Sequence, residues 1–340
     1  MCSYLFAPSV GGIETVSSIL AHDFKDRGAE VKVVTATPAV PSCESPFEVV
    51  RQPNPFELVK LVKWSDVVFH NNISLNFAWP LLIANRPWVV AFHTWVTRSD
   101  GKTGWRDFIK QNLVRRAKCI SISRAISDHL PVSSTIVGNP YNDAEFVTLS
   151  DGARARDLVF LGRLVSDKGV DLLVEALATL NRDGVRATLT IIGKGPAEVE
   201  LRQLARKLNI EEQIEFVGER TGLDLVKLLN GHKIIVIPSR WQEPFGIVAL
   251  EGIACGCVAV GSAQGGLADA IGPCGITFEN GDVSALTKAL AVLLKNPELL
   301  VQYKNKAATH LEKFKRACVC ESYFKIISAA AEETGVRRVG

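Results

Sequence analysis

Short runs of consecutive apolar residues alternate with amphipathic helical stretches from one end of this 340-residue chain to the other. The runs are Val31–Thr35, Val67–Phe69, Trp88–Phe92 and Cys119–Ile122, then Leu158–Leu161, Thr188–Ile192, Ile214–Val217, Ile234–Ile237 and Val258–Val260. A strand that is apolar at successive positions has both faces covered, which is the condition of a parallel sheet. Between the runs, Glu14–Arg27, Val170–Asp183, Val199–Leu208, Leu223–Leu229 and Val283–Lys295 carry helical spacing. The alternation predicts an α/β chain of doubly wound parallel sheets. It breaks once, at the turn-forming Gly138–Asp143 followed by the polar Thr148–Asp157, where a linker is expected. The length suits two domains. They are assigned to residues 1–147 and 148–315, with 316–340 as C-terminal helix able to pack back on the first. Two such sheets are expected to face each other across a cleft lined by the carboxyl ends of their strands, where ligands of open α/β sheets bind.

Lys and Arg number 39 against 36 Asp and Glu, so no global field draws the chain to nucleic acid. No apolar run approaches the about 18–20 residues that span a bilayer. Met1 leads into Cys2-Ser3-Tyr4 without a basic, then apolar, leader. The eight cysteines are scattered, and the close pairs Cys255/Cys257 and Cys318/Cys320 fit neither a disulfide framework nor a four-ligand zinc site. Reduced cysteines and a cytoplasmic location are expected, with peripheral membrane contact left open.

Two strand ends concentrate the chemistry. After Leu158–Leu161 comes Gly162-Arg163-Leu164-Val165-Ser166-Asp167-Lys168-Gly169, leading into a helix. Gly162 admits close approach of a ligand, and Arg163 and Lys168 add two cations beside a helix start, a pattern suited to a diphosphate. The same loop also fits a plain strand–helix turn with solvated cations. After Ile234–Ile237 comes Pro238-Ser239-Arg240-Trp241-Gln242-Glu243-Pro244-Phe245-Gly246-Ile247-Val248-Ala249-Leu250-Glu251-Gly252. Here Pro244 is expected just inside a helix start, with Phe245, Gly246 and Ile247 presenting free N–H groups. Glu243 and Glu251 would then stand about 9–12 Å apart along the axis. That separation suits the two ends of a nucleotide sugar, with ribose at Glu251 and hexose at Glu243. The alternative is two carboxylates that cap or solvate the helix.

In these motifs the sequence resembles the family-4 retaining glycosyltransferases of the GT-B fold, two Rossmann-like domains, and the likeness runs over nearly the whole chain. Glu243 to Glu251 matches the family's E-x7-E, and Gly162-Arg163-Leu164-x3-Lys168-Gly169 matches its diphosphate loop. The resemblance implies a hexosyl transfer from a UDP- or GDP-sugar to a saccharide or lipid-linked saccharide, in polysaccharide or glycolipid assembly. It implies retention, no cofactor and no metal, with Arg163 and Lys168 neutralising the diphosphate. It assigns Glu251 to the ribose, Glu243 and the Phe245–Val248 backbone to the sugar, and the stretch around Arg220 to the base. Pro8-Ser9-Val10-Gly11-Gly12-Ile13-Glu14 is similar to the family's G-G-x-E loop, which puts Gly11, Gly12 and Glu14 near phosphate or acceptor. His93 matches a histidine near the donor sugar and acceptor, and His70, ending the preceding strand, is expected on the same rim.

Ile192-Gly193-Lys194-Gly195-Pro196-Ala197-Glu198 imitates a dinucleotide loop, but Glu198 replaces its third small residue, so a structural turn is expected and a dehydrogenase is discounted. Trp105–Lys118 carries five cations against Asp107 alone, and reads as a basic amphipathic helix or as an ordinary solvated one. Three departures stand out. Only Met1–Phe6 precede the first loop, which predicts a frayed first strand and leaves room for a start further upstream. Asp269 follows Gly265-Gly266-Leu267-Ala268 where the family has Glu, and Asn230–Lys233 has no functional explanation. A nucleotide-sugar epimerase and a non-catalytic nucleotide-sugar binder are the rival functions.

Overall fold

The computed structural model describes residues 1–9, 11–39, 45–96, 104–149 and 154–333. Val10 of the Gly-Gly loop, 150–153 of the expected linker and Thr334 of the last helix lie outside them. The chain divides into two units, Met1–Pro140 with Arg316–Gly340, and Tyr141–Lys315.

The first unit holds β1 (Lys32–Thr35), β2 (Glu48–Arg51), β3 (Val68–Asn71), β4 (Trp88–Phe92), β5 (Lys118–Ser121) and β6 (Ser134–Ile136). β1 pairs with β2, and β3 to β6 pair in sequence, all parallel. The frayed first strand expected from the short opening is reduced to a bridge: Cys2 pairs with both Val34 and His70. Its N–H donates to the Phe69 carbonyl and its carbonyl accepts from Asn71, while Ser3 N–H donates to Val34. Cys2 thereby joins β1 to β3 and places the chain's opening at the point where strand order reverses. The helix Arg316–Glu333 completes this core by burying Val319, Cys320, Tyr323, Ile327 and Ala330, spaced three to four apart as one helical face requires. The Tyr323 ring meets Phe69 edge-on with centroids 5.9 Å apart, and Phe324 lies 6.0 Å from Phe24. Lys118 and Glu333 form an ion pair at 2.5 Å.

The second unit holds β7 (Arg156–Leu161), β8 (Leu189–Ile192), β9 (Ile214–Gly218), β10 (His232–Ile237), β11 (Val258–Ser262) and β12 (Gly275–Phe278) in the order β12-β11-β10-β7-β8-β9, all parallel. Leu158, Phe160, Ile191, Val236 and Val260 fill the core from the sheet. The helix Val170–Arg182 turns Leu173, Leu177 and Leu180 inward, and Val283–Lys295 adds Leu286, Leu290 and Leu293. Strand order reverses between β7 and β10, so the loops following these two strands flank the crevice where doubly wound sheets bind ligands.

The consecutive-apolar runs are all strands, but β2, β6 and β12 escape that pattern. Each lies at a sheet edge and is only partly covered, so its residues need not be apolar at successive positions. Trp105–Lys118 is not one helix: Trp105–Leu113 is α-helical, Val114–Arg116 tightens into a 3-10 turn, and Lys118 already opens β5. None of the seven cysteines among the described residues forms a disulfide. No helix among them is long and apolar enough to cross a membrane.

The Tyr323 hydroxyl is buried with no hydrogen-bond partner among the described residues, and burial pushes its pKa up. An unpaired buried hydroxyl costs free energy that an apolar side chain of the same shape does not. Tyr323→Phe is therefore expected to leave stability unchanged or raise it by up to about 1 kcal/mol in urea unfolding.

Candidate active site

The loops after β7 and β10 are fastened to each other through the backbone. Gly169 takes a left-handed conformation (φ 64°), and a Cβ there would strike the Pro238 carbonyl. The N–H groups of Arg240 and Trp241 both donate to the Asp167 carbonyl, at 2.9 and 3.2 Å. The Arg240 guanidinium closes the junction as a fork on Asp171, with both contacts at 2.6 Å. On the other side, Leu164 N–H donates to the Lys194 carbonyl and Ala197 N–H to that of Leu164. Cβ atoms at Gly193 and Gly195 would collide with the Gly162 and Leu164 carbonyls. The dinucleotide-like turn thus owes its glycines to packing against the cationic loop, in keeping with a structural turn.

Lys168 and Glu243, 75 residues apart, meet here. Lys168 Nζ donates to Glu243 Oε1 at 2.5 Å, and Ser239 Oγ donates to the same oxygen at 2.8 Å. The Glu243 side chain is 14% exposed and that of Lys168 26%, so both are reachable by a ligand. Arg163, on the same loop as Lys168, is exposed. Arg220 is exposed as well, its guanidinium donating to the Glu219 carbonyl at 3.1 Å.

The expected helix start is corrected. The helix runs Ile247–Ala254 with Gly246 as N-cap, so Pro244 lies outside it. Glu243 pairs with Gly265 as a parallel bridge and its carbonyl accepts from Gly266 N–H, which keeps the backbone out of the helix. Gly246, at φ 103°, then makes the turn into the helix, and a Cβ there would stand 2.5 Å from a Leu267 methyl. The helical rise accordingly applies from Ile247 to Glu251 and cannot measure the Glu243–Glu251 separation. The N–H groups of Phe245, Gly246, Ile247 and Val248 have no partner among the described residues. Four neighbouring free donors at a helix start suit an anion or a polar ligand. The Phe245 ring is buried against Phe314, with centroids 5.5 Å apart, so only its backbone is available. Glu251 sits in the second turn, and burial, with a smaller contribution from Glu145, pushes its pKa up to about 7.

In the first unit, Gly11 caps the helix Gly12–Asp26, and the Glu14 carboxylate folds back to where a Gly11 Cβ would stand. An acid in the first turn complements the helix dipole. His93 follows β4 and is buried. Its Nε2 lies 2.6 Å from Asn71 Oδ1 and its Nδ1 3.0 Å from Asn139 Oδ1. Asn71 Nδ2 donates to Ser17 Oγ at 2.6 Å, which fixes its oxygen toward His93 and hence the proton on Nε2. Burial pushes the His93 pKa down to about 4, so the ring is neutral and, with its proton on Nε2, has none to donate to Asn139 Oδ1. Its one N–H is committed to Asn71, and Nδ1 faces a second amide oxygen. His70 is corrected outright. It lies within β3, fully buried, with Nδ1 accepting from Trp88 Nε1–H at 2.7 Å and burial pushing its pKa down to about 3. It cannot stand on a substrate rim.

Sequence reasoning gave Ser239, Asn71 and Asn139 no role. Ser239 heads the Ser239-x3-Glu243 stretch, but a spacing of four signals contact only in a helix, and this segment is not one. Among the described residues no group of three His, Cys, Asp or Glu is placed to hold a metal ion.

Residues 148–310 match the family described as glycosyl transferases group 1. Glycogen synthase of Mycobacterium tuberculosis is 38% identical over 143 residues, 42% of this chain and 34% of that protein. D-inositol 3-phosphate glycosyltransferase of Corynebacterium glutamicum is 30% identical over 187 residues, 53% of this chain and 44% of that protein. The match thus spans less than half the length of either curated relative. Among solved structures, Anabaena Alr3699/HepE in complex with UDP and glucose superposes with a TM-score of 0.76 at 19% identity, covering 96% of this chain and 99% of that one. WaaG, a glycosyltransferase involved in lipopolysaccharide biosynthesis, gives 0.68 at 18%, covering 96% and 100%. These likenesses show a common fold, the GT-B fold.

Because the folded pKa of Glu251 lies above the ordinary carboxylate value of 4.5, its ionisation opposes folding. Below about pH 4.5 both states hold the proton and nothing is lost. Stability falls as pH rises from there through 7, by on the order of 3 kcal/mol. Glu251→Gln is expected to be more stable than wild type in urea unfolding at pH 8 and equal to it at pH 4. A difference independent of pH would remove this account.

Proposed function

We propose that this chain, whose residues 148–310 match the family described as glycosyl transferases group 1, moves a hexose-type sugar from a UDP- or GDP-sugar to a saccharide or lipid-linked saccharide acceptor. The observation that carries the reading is the meeting of Lys168 and Glu243 at the switch point, where four free N–H groups follow Glu243 in the chain. A nucleotide sugar has an anionic middle and hydroxyl-rich ends, and the loops offer donors for the first and carboxylates for the second. Lys168, Arg163 and the N–H groups of Phe245–Val248 would meet the diphosphate, Glu243 the sugar and Glu251 the ribose.

In the transfer the bond between the anomeric carbon and the diphosphate oxygen breaks while the acceptor oxygen bonds to that carbon from the same face, with retention. The acceptor's proton leaves with the diphosphate. Fixed cations and N–H dipoles stabilise the charge that develops on the leaving oxygen, and no metal is needed for that role. His93 contributes by holding the end of β4 in place through Asn71.

UDP or GDP is expected to raise the melting temperature of the protein. Lys168→Ala should lower kcat by at least ~100-fold with the fold retained. Near wild-type turnover would remove Lys168 from the mechanism. An epimer formed from donor alone, or binding without transfer to any acceptor, would overturn the transfer reading.

A membrane surface is part of this proposal. Trp105 and Phe108 are 69% and 66% exposed. Asp107, the one acid of its helix, is buried with its carboxylate accepting from Gly104 N–H. The exposed side is left with apolar rings and the cations Arg115 and Arg116, with Lys110 half-buried beside them, which complements anionic lipid. The protein should co-sediment with vesicles containing about a third phosphatidylglycerol but not with pure phosphatidylcholine. Phe108→Ser should lower the bound fraction.

A further inference from the structure

Glu243 uses its two carboxylate oxygens unequally. Oε1 accepts from both Lys168 Nζ and Ser239 Oγ, while Oε2 has no partner among the described residues. The two donors differ in kind. Lys168 is partly exposed on a long flexible stem, at the end of the 3-10 turn Ser166–Lys168. Ser239 is fully buried, and its backbone is anchored: the Ser239 carbonyl accepts from Ser262 Oγ at 2.7 Å and from Asn280 Nδ2 at 3.2 Å. Ser262 ends β11 and is itself buried, and Asn280 Oδ1 accepts from Gln264 N–H at 2.8 Å. One contact to Oε1 can therefore move with a ligand, and the other cannot.

We propose that Ser239 is a positioning residue for donor-sugar recognition, holding Glu243 Oε1 in place so that Oε2 is kept for the hydroxyls of the sugar. The inference rests on the donor-site reading above. A diphosphate carries more charge than one carboxylate and competes for Lys168. As Lys168 turns toward phosphate, Glu243 loses its ionic partner, and the buried hydroxyl becomes the contact that fixes its carboxylate. An unanchored carboxylate must be ordered by the sugar itself, which weakens binding of the sugar but not of the nucleotide. The arrangement also explains why Ser239 is held from the end of β11 and the turn after β12: a hydroxyl that aims another group must not drift.

The test is a comparison of two ligands on the intact protein. Dissociation constants for UDP and UDP-glucose, and for GDP and GDP-mannose, are measured by calorimetry on wild type, Ser239→Ala and Ser262→Ala, with melting curves to establish folding. Losing a hydrogen bond to a charged group corresponds to about a tenfold effect. Ser239→Ala is expected to weaken the nucleotide sugar by about that factor while leaving the nucleoside diphosphate within about twofold. Ser262→Ala, which keeps the Ser239 hydroxyl but loosens its anchor, should shift the same ratio by a smaller factor. Equal weakening of both ligands, or of neither, by Ser239→Ala overturns the proposal while the donor-site reading stands. If Ser239→Ala does not fold, an unchanged ratio in Ser262→Ala overturns it. Wild-type protein that binds neither nucleotide overturns both.

Discussion

Parallel pairing is the constraint from which the site follows. A parallel strand cannot be reached by a tight turn, so every strand of both sheets is entered after a crossover. All carboxyl ends then emerge on one edge, and adjacent loops diverge only where strand order reverses. In the second unit that reversal sits between β7 and β10, whose following loops carry Lys168 and Glu243. Their junction is built from backbone: the Asp167 carbonyl serves two N–H groups, and Gly169 and Gly265 remove the Cβ atoms that would keep segments apart. The charged side chains are then carried by a frame that does not depend on them.

The two units treat buried polar groups in opposite ways. Around His93, Asn71, Ser17 and Ser3 the hydrogen bonds form an unbroken chain from β4 to the opening residues of the protein. Each member is tied to the next, which rigidifies the first sheet where its strand order reverses. Around Glu243 the network stops short, with an oxygen and several N–H groups unpaired among the described residues. Incomplete pairing is costly in a core and useful at a ligand site, where the ligand supplies the missing partners.

The legible parts of the sequence were those that a single period could express. Central strands such as Trp88–Phe92 and Ile234–Ile237 are buried on both faces and show as unbroken apolar runs. Edge strands such as Ser134–Ile136 leave no such run. The cations Arg163 and Lys168 and the acids Glu243 and Glu251 were visible as residue types at fixed spacing. What lies between the two acids was not, because Gly246 and the Glu243–Gly265 bridge interrupt the helix that the spacing assumes. His70 was misplaced for a related reason: the strand continues one residue beyond it, and a one-residue difference decides whether a side chain meets solvent or Trp88. Ser239 and Asn71 act on partners brought close by tertiary contact alone, and no local pattern announces that.

The helix Arg316–Glu333 belongs to the first core although nearly two hundred residues separate it from the nearest strand of that core. A ribosome therefore delivers the second unit, Tyr141–Lys315, as one uninterrupted stretch, but delivers the first in two instalments. Until the last helix emerges, Phe24 and Phe69 lack the aromatic neighbours that cover them. During synthesis the part that begins first is thus the part that finishes last. Its open apolar face makes the nascent chain a candidate for chaperone capture over that interval.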